Sequence, residues 1–344
     1  MSSDISPGPS DPPARAVSKL WSRQIVLNLT LSLAALLVTA VLAELGLRLF
    51  FRANLALVDD ERNLLYRYDS YLGWFPIPSQ GKNLLASRIF TVVHNREGFR
   101  DPDFKTQAQN GIMFLGDSFV WGYDVDAPER FTDKLRQRHP EWTIYNLGVS
   151  GYGTDQEFLL LQKYFDSYKP RIVFLVFCVE TDHDDNSSNV RYEGYYKPYC
   201  TASDGELQLR GVPVPRSEKV FFAEHRLFSR CYLVRLMARA YYKFTRAPIL
   251  QNPDPTGSIL RAMHSYVKSN GAIFCVGLTR RDLNVEAVLR ERQIPYVDLS
   301  TSLRYPQFGN HWTPEGQTFV CDQIEGFFGR GQPGPASVAP DSSR

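Results

Sequence analysis

The chain has 344 residues, 43% of them hydrophobic, with Lys+Arg 39 against Asp+Glu 37 and a formal net charge of +2. That is enough apolar chain for one large domain or two small ones, and with no basic stripe or run of like charge it argues against a nucleic-acid partner. Five cysteines without metal-ligand or framework spacing read as free thiols, Cys178, Cys275 and Cys321 lying in apolar runs. Cys200 and Cys231 stay open to pairing in an oxidising compartment.

Residues 1–24, opening on a Ser-, Pro- and Asp-rich stretch, read as a disordered tail. Residues 25–47 are almost continuously apolar, interrupted by Asn28, Thr30, Ser32, Thr39 and Glu44. At 1.5 Å rise per residue such a helix covers roughly 34 Å, enough to cross a bilayer core, so residues 25–50 are assigned as a transmembrane anchor. Glu44 precedes Arg48 by four residues, the favourable order for a helical ion pair, and the pair suits the headgroup level. Arg15, Lys19 and Arg23 before the span set a slight bias toward a cytoplasmic N-terminus. The expectation is a single-pass membrane protein whose globular part is extracytoplasmic, periplasmic in a Gram-negative cell. Residues 51–110, with scattered aromatics and glycines, read as a preface of short strands and turns packed on the main domain.

From Gly111 the pattern alternates. Strands are expected at 112–116, 143–147, 171–178, 272–278 and 296–299. Helices are expected at 129–138, 155–168, 258–269, 283–292 and 314–328, with Thr154 as an N-cap and Pro314 in a first turn. Strands separated by helices imply right-handed crossovers and a parallel sheet. The fold class is therefore α/β, a flavodoxin-like three-layer α/β/α sandwich with a parallel five-stranded sheet, occupying residues 111–330. Residues 180–252 are too long for a loop and read as an inserted subdomain at the sheet's carboxyl edge. Residues 331–344 read as a second disordered tail.

Ser118 stands in the turn after the first strand, where α/β proteins place their ligands. His311 lies after the last strand and before the last helix, so the two converge on one edge although far apart in sequence. A serine with a histidine in reach is a candidate nucleophile. Asp182-His183-Asp184-Asp185-Asn186 is rich in oxygen ligands but lacks the glycine and distal glutamate of a calcium loop, so it reads as a solvated loop. No metal or other cofactor is expected. Tyr192, Tyr195, Tyr196 and Tyr199 suit either a carbohydrate or acyl pocket or packing of the insert.

These motifs resemble the SGNH/GDSL hydrolase family. Gly116-Asp117-Ser118 is similar to its first block and Asn146-Leu147-Gly148-Val149-Ser150-Gly151 to its second. The stretch 178–182 falls where the third belongs, and His311 with Trp312 where the last does. The resemblance covers roughly residues 111–328. It implies Ser118 as nucleophile, His311 as general base, and the N–H groups of Ser118 and Gly151 as oxyanion donors. Two departures stand out. Thr181 occupies the place of the family's oxyanion asparagine. The acid expected two or three residues before the histidine is absent, those positions being Gly309 and Phe308. Asp298 is the best substitute to orient the imidazole, with a backbone carbonyl as the alternative. The resemblance implies a membrane-anchored serine esterase acting by acyl transfer on an ester of a small molecule, glycan or lipid. An O-acyltransferase passing acetyl to a sugar hydroxyl, or an inactive scaffold in an envelope complex, are the alternatives. Oligomeric state is not legible.

Overall fold

Strands buried on both faces need near-continuous apolar runs, and five such runs form one parallel sheet here. They are β1 (Gly111–Gly116), β2 (Thr143–Asn146), β3 (Ile172–Phe177), β4 (Ile273–Leu278) and β5 (Tyr296–Asp298). The computed structural model describes residues 14–57, 62–106, 110–192, 194–203, 206–307 and 309–330. Across the sheet the order is β5-β4-β3-β1-β2, every pairing parallel, with Ile112 beside Ile172 and Gly116 beside Val176. This is the flavodoxin-like doubly wound order, and its switch point lies between β1 and β3.

The longer helices are α1 (Ala14–Phe50), α2 (Phe131–Arg138), α3 (Thr154–Tyr168), α4 (Tyr232–Thr245), α5 (Thr256–Ser269), α6 (Leu283–Glu291) and α7 (Pro314–Gly329). Alternate strand side chains face opposite layers. Ile112, Phe114, Phe174 and Val176 pack with Phe131 of α2 and Val320 and Ile324 of α7. Met113, Leu115, Leu175 and Phe177 pack with Leu160 of α3, Met263 of α5 and Leu289 of α6. Each Leu or Phe so buried stabilises the fold by about 1.5–3 kcal/mol. The expected three-layer sandwich is present, its elements starting and stopping within two residues of the sequence reading.

One local expectation differs. Thr154 does not cap α3; Gly153 takes that position, because the Thr154 hydroxyl donates to Asp182 Oδ2 at 3.2 Å instead. The preface folds as two hairpins, Tyr66–Asp69 with Gly73–Pro76 and Ser79–Leu85 with Ile89–His94. Leu72, Trp74, Phe90 and Phe99 join the core on the α3 side of the sheet.

The chain forms two compact units, one of residues 1–58 with 225–244 and one of residues 59–224 with 245–344. The interruption at 180–252 is therefore not a single subdomain, since its middle belongs with α1. The physical reason lies at Glu44, whose carboxylate accepts the Tyr232 and Leu233 N–H groups at 3.0 and 2.9 Å and so holds the start of α4. The expected Glu44–Arg48 pair is present at 2.7 Å beside this cap. Helix α1 begins at Ala14, inside the stretch read as tail; residues 1–13 and 331–344 lie outside the described residues. Its segment Arg23–Phe50, 28 residues long, is long and apolar enough to cross a membrane. All five cysteines are free, with Cys231 half-buried and the others buried.

Candidate active site

After β1 the backbone turns directly into a one-turn helix, Ser118–Trp121, capped by Asp117, whose Oδ1 accepts the Phe119 N–H at 2.9 Å. Ser118 is thereby half-exposed at the carboxyl end of β1, beside the switch point. A second cap sets its partner. The Thr313 hydroxyl accepts the Gly316 N–H at 3.2 Å and Pro314 takes the first position of α7, which fixes the chain two residues after His311. Arg304 bridges the backbone of Trp312, and the Trp312 ring packs edge-on against Phe119 at 4.7 Å. The His311 imidazole lies between Tyr123 and Phe119, with ring centroids 4.6 and 5.3 Å away. Its Nε2 is 2.8 Å from Ser118 Oγ. The two residues that the sequence placed on one edge do meet.

The acid is a correction. Asp298 is exposed and turned away, accepting the Ser300 N–H at 2.8 Å and the Ser300 hydroxyl. No backbone carbonyl takes the place, for Asp124 Oδ2 lies 3.1 Å from His311 Nδ1. Phe308 lies outside the described residues. The other Asp124 oxygen accepts the Ser87 N–H at 2.7 Å from the preface, and the side chain is fully buried. An ionised carboxylate accepts only, so Nδ1 carries the hydrogen and Nε2 is left to accept from Ser118. Asp124 reaches the imidazole because the Ser118 helix lasts one turn and ends at Gly122, whose φ of +86° reverses the chain. Buried Arg100 then pins the returning loop, donating to the carbonyls of Gly122, Val125 (2.7 Å) and Thr91 (2.6 Å). The sequence reading, with Asp298 at the end of the last strand or a backbone carbonyl as the candidates, does not include Asp124. The signal was an acid in a Gly-Tyr-Asp-Val turn directly after the serine, where nothing else called for one.

Asn146 fixes the opposite wall. Its amide donates to Val120 O at 2.8 Å and Thr132 Oγ1 at 3.0 Å while its oxygen accepts the Gly148 N–H at 3.0 Å, tying the turn to the Ser118 helix. Gly151 sits at φ +80°, and a Cβ there would fall 2.5 Å from the Tyr192 ring and hydroxyl. Among the described residues the N–H groups of Ser118 and Gly151 donate to no protein acceptor. Thr181 departs from its expected part: its hydroxyl donates to Cys178 Sγ at 3.3 Å. Of the tyrosine stretch, Tyr192 covers Gly151 and buried Tyr195 packs edge-on against Trp74 at 6.3 Å, which is packing of the insert on the core.

Next to the Ser118 turn lies a group of buried acids, Asp117, Asp155, Glu157, Asp182 and Asp185. The stretch read as a solvated loop is a short helix, Asp182–Ser187, with Asp182 and Asp185 facing inward. Lys197 pairs with Asp155 and Arg191 with Asp185. Burial pushes the Asp117, Glu157 and Asp182 carboxyls up, and neighbouring carboxylates push the last two further. Burial likewise raises Asp185 to about 7 despite Arg191. Lys197 and Arg191 are paired with two of these five carboxylates, and burial works against charge on the others. Asp117, Cys178 and Asp182 each bring one ligand atom within 4.8 Å of the others. The Asp182 Oδ2 atom, however, already accepts the Cys178 N–H at 2.9 Å, and the raised thiol keeps its hydrogen.

Fold and site together define a doubly wound α/β protein with a Ser–His–Asp relay at its switch point. Solved structures similar to this chain include a member of the lipolytic G-D-S-L family from Veillonella parvula, 12% identical, covering 64% of this chain and 98% of that one, with a TM-score of 0.34. The psychrotrophic esterase EstA from Pseudoalteromonas is 11% identical over 64% of this chain and 97% of its own, TM-score 0.36. A two-domain esterase active on acetylated mannans is 12% identical over 64% of this chain and 48% of that one, TM-score 0.35. No family model and no curated protein matches the chain.

Proposed function

We propose that this chain is a membrane-anchored serine ester hydrolase of the SGNH/GDSL type, with Ser118 as nucleophile, His311 as general base and Asp124 as the acid that orients it. The observation that carries the reading is the relay of 2.8 Å from Ser118 Oγ to His311 Nε2 and 3.1 Å from His311 Nδ1 to Asp124. His311 takes the serine proton as Oγ attacks the ester carbonyl. The carbonyl electrons move to its oxygen, which the Ser118 and Gly151 N–H groups stabilise. Collapse expels the alcohol, protonated by His311, and leaves an acyl-serine; a water activated by the same imidazole then releases the acid. Asp124 keeps the imidazole in the right tautomer and stabilises its charged form. The substrate is an ester of a glycan or lipid, and α1 tethers the enzyme with its globular part outside the cytoplasm. The buried Asp124 on His311 supports the hydrolase reading over an inactive scaffold on one of the two departures, the missing acid; the oxyanion asparagine is still unmatched.

The test is labelling of the full chain, in detergent, by a fluorophosphonate, with hydrolysis of p-nitrophenyl esters of rising chain length alongside. Ser118→Ala is expected to abolish both. Asp124→Asn should lower kcat by about four orders of magnitude, as loss of the orienting acid does in such relays. Asp298→Asn should leave kcat within a few-fold. Equal effects of the two Asp substitutions would refute the assignment of Asp124. Labelling without turnover, relieved by an added oligosaccharide, would redirect the proposal to acyl transfer.

A further inference from the structure

Helix α4 carries an apolar stripe. Leu236, Met237, Ala240, Tyr241 and Phe244 recur at helical spacing on one face, and all five are exposed, Phe244 at 84%. The other face is committed within the same unit: Ala238 is buried, Arg235 donates to Leu55 O at 2.9 Å and Arg239 to Ala56 O at 3.1 Å. A stripe of this kind on a soluble surface would be a liability unless something covers it.

Glu44 says what covers it. A carboxylate inside an apolar helix is costly in lipid unless it is paired. Here it is fully used, receiving two α4 amides, the Cys231 thiol at 3.2 Å and Arg48 at 2.7 Å. Glu44 lies six residues, about 9 Å of helix, from the end of α1 at Phe50. The start of α4 is therefore pinned at the depth where an α1 crossing a bilayer would leave the acyl region. Phe50 and Phe51 at that end, and Leu227 and Phe228 just before α4, are exposed as well. An amphipathic helix with arginines and a lysine beside its apolar face, held at that depth, has the character of an interfacial helix.

We infer that α4 lies in the headgroup–acyl boundary of the membrane that α1 crosses, with its apolar stripe toward the lipid chains. The inference rests on the anchoring reading and goes beyond it, assigning a second membrane-contacting element more than 180 residues along the chain, held to the first by Glu44. The test uses the full chain in nanodiscs of phosphatidylcholine and phosphatidylglycerol. A benzophenone amino acid replaces Leu36, Met237, Phe244 or, as a control on the opposite face of α4, Tyr242. Lipid adducts are expected at Leu36, Met237 and Phe244, several-fold above those at Tyr242. Adducts at Leu36 with none at Met237 and Phe244 would overturn the inference and leave the anchor standing. So would adducts to protein at Met237 and Phe244, which would mean a second copy or another chain covers the stripe. No lipid adduct at Leu36 would overturn the anchor and this inference together.

Discussion

Gly151 stands where the fold leaves room for no side chain. Its backbone is in the left-handed region at φ +80°, and the space where a Cβ would stand is filled by the Tyr192 ring. Alanine there must strain the backbone and displace Tyr192, moving the amide that the proposed mechanism aims at the oxyanion. Gly151→Ala is expected to lower kcat about a hundredfold with an unchanged far-UV circular dichroism spectrum; adding Tyr192→Ala relieves the overlap but not the backbone, so it should recover only part of the loss. Steady-state kinetics on the three variants check this, and full recovery in the double variant would remove the backbone from the explanation. Ser118 and His311 were legible from their positions after the first and last strands. Asp124 was not, because its approach depends on a turn at Gly122 and a loop pinned by Arg100, and neither has a periodic signature.

At the scale of elements, the preface holds up the turn that carries Ser118 and Asp124. Ser87 supplies an amide to Asp124, Arg100 gathers the carbonyls around it, and His94 accepts from Trp121 Nε1 at 3.3 Å while its Nδ1 lies 2.9 Å from Ile77 O. This bonding suits a neutral imidazole donating from Nδ1. Burial holds its pKa down to about 4 against an ordinary 6.5, with Arg100 and Arg130 pushing the same way. The unfolded chain therefore takes up a proton that the folded one refuses. The stability His94 contributes is complete above pH 6.5 and is lost as pH falls toward 4, by about 3 kcal/mol at most. Asp101 and Asp185 act oppositely: burial raises them to about 6 and about 7, so their contributions fall as pH climbs from their ordinary 3.8 toward those values. His94→Gln keeps a donor and an acceptor but cannot titrate. Urea unfolding at pH 7.5 and pH 4 should show a smaller loss in the variant than in the parent chain, and equal losses would exclude His94 as an acid-sensitive support.

Over the whole chain, continuity in sequence and continuity in space part company. Residues 225–244 leave the interruption of the α/β unit to join α1, and the contact that draws them there is a carboxylate capping a helix. Glu44→Ala removes that cap, a change that costs about 1 kcal/mol in an ordinary helix. Amide hydrogen exchange of the full chain in nanodiscs should then be faster over 232–245 than in the parent, with the β1 and β3 amides unchanged. Unaltered exchange in α4 would mean that lipid or packing, rather than Glu44, sets its stability.

The sequence by itself determined the layered α/β class, the order of strands and helices, the apolar helix, and the meeting of Ser118 with His311. All of these follow from local periodicity, from caps and turns, and from the rule that a parallel sheet gathers its loops on one edge. Only the tertiary structure decided that Asp124 rather than Asp298 lies against the histidine, that Thr181 turns toward Cys178, that the acidic stretch folds inward, and that α4 belongs with α1. Each of these depends on which side chain fills a space or receives a hydrogen bond from a distant segment, and such pairings leave no repeat along the chain from which to read them.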